Sequence, residues 1–409
     1  MSNLIKYKFS DLYEMGSGIS TSKEQAGHGY PFASFSTVIN NYFLPDTLSD
    51  LMDATEEQRE VSSILEGDIL ITRTSETPDE LAMSCVALKD YPNATFSGFV
   101  KRLRPKNKDL VYPKYMAFYL RGPYFRKLVN SNTVMTLRAS FNEHIFKFMN
   151  IYLPSYETQK QIGDLLYKIE QKIKINNEIN DNLHQFLMQI YIQKIECFNG
   201  IKPTIFDENL KRKIPNGWKA IKINQLASIY SGYPFDSSNY DQGGSYKLIT
   251  IKNVQDSGID LNSCDKIGNL PLDLPEYCKL SPGNILLSLT GNVGRVALMF
   301  TENCLLNQRV AIIHPKNIEI SPYLYCLFKS ERIRIKMERI AGGTSQKNLS
   351  PIDTENIYIP YNESLILEFS KELYPLFNKI INCLEENRRL IAMRNDLLPL
   401  LINGQVTID

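Results

Sequence analysis

Apolar residues recur at three- and four-residue steps in two long stretches of the chain. The first carries Ile162, Leu166, Ile169, Ile173, Leu183, Leu187 and Ile190. The second carries Phe369, Leu373, Leu376, Ile380, Leu384, Leu390, Leu397 and Leu401. This period predicts two long helices, over 156–198 and 362–404. Sustained over about four to five heptads, it is the spacing of a coiled-coil seam rather than of an ordinary surface helix. The two stretches align at an offset of 207 residues, with Asn180 and Asn387 at equivalent places beside the seam. A buried asparagine there lowers stability and fixes the register of the pair. Pro375 lies inside the second stretch and either kinks that helix or marks its start.

Outside these stretches the pattern shortens to strand-like runs broken by turn residues, and it is written twice. NIYLP at 150–154 returns as NIYIP at 356–360, an offset of 206, and an asparagine (Asn142, Asn348) stands twelve residues before each proline. EGDILITRTS (66–75) matches PGNILLSLTG (282–291). Each reads as a buried strand entered through a turn at Gly67 or Gly283. VYPKYMAFYLRGPYFRKLV (111–129) matches ISPYLYCLFKSERIRIKMERI (320–340). Each reads as a helix opened by a proline near its first turn, Pro113 or Pro322. SDLYEMGSGIS (10–20) pairs with NQLASIYSGYPF (224–235). A long internal period of this kind identifies duplicated units.

The predicted layout is therefore a domain over 1–155, a central helix over 156–198, a linker over 199–217 rich in Pro, Gly and charge, a second domain over 218–361, and a final helix over 362–404. The fold class is α+β: two similar mixed α/β domains separated by two long helices. Those helices are expected to pair as an antiparallel coiled coil about a pseudo-twofold axis, since neither can leave an apolar stripe in water. Forty helical residues make a rod of roughly 60 Å, against about 34–36 Å for one turn of B-DNA. Two such domains would read two short, different sequences at a spacing fixed by the helices.

Composition bounds this picture without deciding it. With 409 residues, 43% hydrophobic, the chain has material for more than one core. The net charge of +1 says nothing about nucleic acid, because a basic face can hide in a neutral total. Two windows are locally basic. Residues 101–127 hold nine Lys/Arg against Asp109, and residues 329–347 hold six against Glu331 and Glu338. No run of 18 apolar residues and no signal-peptide pattern is present, so a cytoplasmic protein without a membrane partner is expected. Seven scattered cysteines without a CxxC pair predict free thiols and no zinc site.

If the domains read DNA, the reading side chains should be polar and planar and should sit in loops, where Arg can take guanine and Asn or Gln adenine. In the first domain these are Ser17, Ser20, Lys23, Gln25 and His28 in the entry loop. Arg73, Thr74 and Ser75 follow the central strand, and Arg138, Ser140 and Asn142 precede the closing one. In the second domain they are Asn239, Tyr240, Asn253, Asn292, Arg295, Ser345, Gln346, Lys347 and Asn348. Phosphate contacts are expected from the basic windows, through Lys101, Arg102, Arg104, Arg121, Arg126, Arg332 and Arg334. Ser and Asn in loops also cap turns without touching a ligand. No GxGxxG, no NPPY-like loop and no GxxxxGK[ST] occurs, and the four histidines are isolated. No catalytic or metal-binding residues are predicted.

The chain resembles the specificity subunits of type I restriction-modification systems over essentially its whole length. The residues that carry the resemblance are SGISTSKEQAGHGYPFASFSTVINNYF (17–43), Gly217-Trp218, GGTSQKNLS (342–350), both NIYxP strings and LLPLLINGQVTI (397–408). The resemblance implies two target-recognition domains on double-stranded DNA and no chemistry in this chain. It implies docking of two modification subunits that methylate adenine, with restriction subunits able to join them in host defence. S-adenosylmethionine, ATP and magnesium would then belong to those partners. One departure is LRASFNEH in the first copy where the second has the more typical TSQKNLS. A self-contained DNA methyltransferase and a scaffold binding protein or glycan are the competing expectations.

Overall fold

The structure is a computed structural model that describes residues 4–75, 80–132, 139–198, 204–343, 347–406 and 408. The chain divides into two compact units. Unit 1 comprises Met1–Ile173 with Leu390–Asp409, and unit 2 comprises Lys174–Arg389.

Unit 1 opens with β1 (Ile5–Lys8), the short helix α1 (Phe9–Leu12), β2 (Tyr13–Ser17) and β3 (Ala26–Ala33). There follow α2 (Phe35–Asn40), β4 (Leu51–Met52), α3 (Glu56–Val61), β5 (Ile69–Thr72), β6 (Thr74–Ser75), β7 (Ser84–Val86), β8 (Thr95–Phe96) and β9 (Val100–Pro105). The unit closes with α4 (Pro113–Tyr119), α5 (Pro123–Asn132), β10 (Ala139–Ser140), α6 (Glu143–Phe148) and β11 (Asn150–Leu153). Its main sheet has the order β2-β9-β5-β7, and a smaller sheet has the order β4-β3-β8. All four residues of β5 are buried, as a continuous apolar run requires when both sheet faces are covered. Pro113 stands at the start of α4, where its missing N–H is not needed.

Unit 2 repeats this topology. A hairpin of β12 (Thr204–Asp207) and β13 (Arg212–Pro215) occupies much of the segment predicted as a linker. Then come β14 (Lys219–Lys222), β15 (Ala227–Ser231), β16 (Tyr246–Ile249), the hairpin β17 (Val254–Gln255) and β18 (Gly258–Ile259), and β19 (Asp265–Ile267). They are followed by β20 (Lys279–Leu280), β21 (Ile285–Ser288), β22 (Val296–Leu298), β23 (Cys304–Leu306) and β24 (Val310–Pro315). Three helices, α8 (Ser321–Lys329), α9 (Glu331–Ile340) and α10 (Pro351–Glu355), lead to β25 (Tyr358–Tyr361). The main sheet, β15-β24-β21-β22, matches that of unit 1 strand for strand. The parallel pairing β3-β8 returns as β16-β23, and the antiparallel pair β1-β11 returns as β14-β25.

The repeat is real, but its letters are misaligned by two. Phe9 N donates to Met149 O in unit 1, and Ile223 N to Ile357 O in unit 2. Asn150, opposite Lys8, therefore corresponds to Tyr358, opposite Lys222, and not to Asn356. A slip of two residues leaves every strand side chain on its own face, so the hydrophobic pattern could not reveal it. The pairing of Asn142 with Asn348 is corrected for the same reason. Asn142 caps α6, its Oδ1 accepting from Ile145 N, and its counterpart is Ser350, which caps α10. The residue that corresponds to Asn348 is Ser140.

The long helices are α7 (Tyr156–Tyr191), of 36 residues, and α11 (Glu363–Ile402), of 40. α11 runs through Pro375, which does not mark its start. Each unit holds a segment of both. In unit 1, Ile162, Leu166, Ile169 and Ile173 share a core with Leu398, Leu401 and Ile402 and with the aromatic side chains of α4. The Glu170 carboxylate pairs with Arg394. In unit 2, Leu187, Phe369, Leu373 and Ile380 are buried, and Leu183, Ile190, Leu376 and Leu384 are partly so. Asn176 Nδ2 donates to Asn387 Oδ1 at 2.9 Å, and Lys194 reaches Glu372 at 2.7 Å, so the segments run antiparallel there. The seam residues thus also back the globular cores, and Leu390 and Leu397 are only partly buried. Asn180 and Asn387 are both buried. Asn387 Nδ2 donates across to Asn177 Oδ1 at 2.8 Å. Neither amide atom of Asn180 has a partner among the described residues.

Candidate nucleic-acid interface

The same loop is built at the end of the main sheet in each unit. In unit 1 the strand after β2 passes so close to the end of β8 that a Cβ on Gly18 would lie 2.3 Å from Ser97 O. In unit 2 a Cβ on Gly232 would lie 2.3 Å from Leu306 O. Only glycine fits at either position. The contact lets Ile19 N donate to Phe96 O (2.9 Å) and Gly98 N to Ile19 O (2.8 Å), as Tyr233 N donates to Leu306 O (2.9 Å) and Gln308 N to Tyr233 O (3.1 Å). A tight turn follows. Val100 N donates to Ser97 O and Val310 N to Asn307 O, both at 2.9 Å. The central residues of these turns, Gly98-Phe99 and Gln308-Arg309, stand out from the protein. One further bond ties each turn to the loop after the central strand, and another ties that loop to the segment before the closing strand. Arg73 N donates to Phe99 O and Phe141 N to Arg73 O; Leu289 N donates to Arg309 O and Leu349 N to Leu289 O.

Several sequence-predicted residues gather around these tips. Ser17 ends β2 opposite Lys101, whose Nζ reaches Ser17 Oγ at 2.7 Å. Burial, with the like charge of Arg73, lowers the Lys101 pKa. Ser20, Lys23, His28 and Arg73 are exposed, and Thr74 pairs with Ser140 across β6 and β10. Gln25 is used locally, accepting from Ser22 N and donating to Asp53 O. In unit 2, Asn348 bridges Thr290 and Gly342, and Lys347 is exposed beside it. Asn239 and Tyr240 end an exposed turn, and Asn292 lies near Arg295, which pairs with Asp256 at 3.2 Å. Arg332 is exposed, and Arg334 pairs with Glu338 at 3.1 Å. Arg138, Ser345, Gln346 and the side chain of Ser75 lie outside the described residues.

Five predicted contacts are corrected. Arg104 makes a two-pronged bond to Asp68, at 2.8 and 2.7 Å. Arg102 donates to Val61 O and Ser63 O. Arg121 donates to four carbonyls, of Ser84, Val38, Ile39 and Asn41, and burial lowers its pKa. Arg126 donates to Leu81 O. These arginines brace the fold, their donors being held by carbonyls and by Asp68. Asn253 is fully buried and holds its own loop through Thr250, Asp260 and Ser263. Sequence reading also missed Phe99, Gln308 and Arg309. The signal was the second glycine pair: Gly18 and Gly232 occupy matching places, and the strand each one touches ends one residue before the turn.

The chain matches the family described as type I restriction modification DNA specificity domain at residues 1–185 and again at 215–386. The chain belongs to this family. Relatives agree over nearly the full length. The HindI specificity subunit of Haemophilus influenzae, a type I restriction enzyme subunit, is 22% identical over 99% of this chain and 100% of that one. The MjaIX specificity subunit of Methanocaldococcus jannaschii is 23% identical over 98% and 93%. A crystal structure of a type I restriction-modification S subunit from M. genitalium shares the fold, with a TM-score of 0.58 and 16% identity over 98% and 96% of the two chains. This type I specificity subunit therefore carries two specificity domains, and its function is DNA sequence specificity. No helix among the described residues is long and apolar enough to cross a membrane.

Proposed function

We propose that the chain is the non-catalytic reader of a type I complex: each unit reads one short half of a bipartite, asymmetric DNA site, and methyl transfer to adenine and restriction are done by other subunits. The observation that carries this is the duplicated tip, one hydrogen-bonded scaffold presenting Gly98-Phe99 in one unit and Gln308-Arg309 in the other. Identical frames with different side chains suit two different half-sites. The exposed Arg73, Arg309 and Lys347, with the half-buried Lys101, supply hydrogen-bond donors for bases or phosphates. The helical residues between the two specificity domains set the number of base pairs separating the halves. S-adenosylmethionine, ATP and magnesium act on the partner subunits, and the system works in the cytoplasm.

The test is to express the chain with its modification subunits in a host free of adenine methylation and to map modified bases across the genome. The expected result is methylated adenine in a two-part, non-palindromic motif with a fixed spacer. A palindromic or one-part motif overturns the two-reader proposal. Methyl transfer by this chain alone overturns its non-catalytic assignment.

A further inference from the structure

We infer that Phe99 is an apolar wedge that enters the base stack of the half-site read by unit 1, whereas Arg309, at the same position in unit 2, reads a base edge by hydrogen bonding. This inference rests on the DNA reading above. A single exposed apolar side chain needs no explanation by itself. Phe99 differs because of what holds it. The residue is 62% exposed although its backbone is fixed on both sides, by Arg73 N on Phe99 O at 2.8 Å and by the turn closed from Val100 N to Ser97 O at 2.9 Å. The preceding residue is Gly98, where a Cβ would meet Ile19 O at 3.0 Å, so the tip stays slim. Cations flank it. Lys101 follows two residues on, in β9, and Arg73, whose N–H bonds Phe99 O, stands beside the turn with no hydrogen bond or ion pair holding its side chain among the described residues.

A rigid aromatic ring between cations matches the chemistry by which side chains part a base step while phosphates are held on either side. Apolar wedges of this kind discriminate through the ease of unstacking, so they favour flexible pyrimidine–purine steps. Arg309 has the opposite chemistry on the same frame. Its guanidinium is exposed and unpaired among the described residues, as two-pronged reading of guanine requires. The two half-sites would then be read by different physical means, deformation in one and hydrogen bonding in the other.

The experiment uses the full chain with its modification subunits and duplexes carrying the mapped motif, with 2-aminopurine placed at successive positions. The expected result for the unsubstituted chain is a several-fold rise in emission at one step in the unit 1 half-site only. Phe99→Ala should abolish that rise and weaken specific binding roughly tenfold or more. Phe99→Trp should keep both, which separates loss of the wedge from loss of the fold. Arg309→Ala should weaken binding to the other half-site by a similar factor with emission unchanged. Phe99→Ala with undiminished affinity and emission overturns the wedge and leaves the DNA reading standing. Absence of any preference for the motif in the unsubstituted complex overturns the DNA reading, and the wedge with it.

Discussion

The turn Ser97–Val100 of unit 1 and the turn Asn307–Val310 of unit 2 sit in a frame of five matching backbone hydrogen bonds and a glycine pressed against a strand end, yet present phenylalanine in one and arginine in the other. The comparison separates frame from message. What is duplicated is whatever fixes a backbone position, and what differs is what points away from it. The basic residues of unit 1 obey the same division. Arg102, Arg104, Arg121 and Arg126 turn inward and hold carbonyls or Asp68, while Arg73 is exposed at the tip with no side-chain partner among the described residues.

The largest effect should come from breaking the shared frame. Gly232→Ala puts a methyl 2.3 Å from Leu306 O, and Gly18→Ala puts one 2.3 Å from Ser97 O. Each should destabilise its unit by about 3 kcal/mol in chemical denaturation and remove reading of one half-site. Gly342→Ala, with nothing within 4 Å of the added methyl, should leave both unchanged. Equal effects at all three positions would deny the close approach its role.

A smaller contrast separates the braces from the free cations. Arg104→Ala strips the partner from the Asp68 carboxylate, whose side chain is 1% exposed, and should cost about 1–2 kcal/mol of stability while leaving the salt dependence of DNA binding alone. Arg73→Ala should do the reverse, leaving the denaturation midpoint in place and lowering the slope of log affinity against log salt by about one. Exchanged outcomes would mean that the inward and outward assignments are inverted.

The last effect is absent at neutral pH and concerns His184 on α7, whose Nδ1 lies 2.8 Å from the Tyr325 hydroxyl. Burial lowers its pKa from 6.5 to about 4. The unfolded chain therefore takes up a proton on this ring at a higher pH than the folded one does. The stability this residue supports is complete above pH 6.5 and is lost as pH falls toward about 4. His184→Gln should flatten the acid side of the stability profile across that window. A profile parallel to that of the unsubstituted chain would show that the ring titrates normally.

The two long helices and the duplicated plan were legible because periodicity and repetition are properties of the letters themselves. The strand register was not. The strings NIYLP and NIYIP suggest an offset two residues from the one that the bonds of Phe9 and Ile223 establish, and a shift of two preserves the buried face. The destination of Arg121 was also hidden, because its four carbonyl partners come from residues 38–41 and 84, far away in sequence. Arg309 escaped notice for a related reason. It precedes the apolar run VAIIHP and looks like the edge of a core strand until the turn beside it is seen to match the one at Phe99. The place of Asn180 beside the helix seam predicts a buried polar residue, and it is buried. That its amide lacks partners among the described residues could come only from the packing.

The central claim is that two separable readers share one frame, and exchange of residues 1–155 for those of a relative with a different motif tests it most directly. Mapping of methylated adenines in cells carrying the hybrid and its modification subunits should show one half of the motif replaced, with the other half and the spacer unchanged. A hybrid that alters both halves, or neither, would contradict the account.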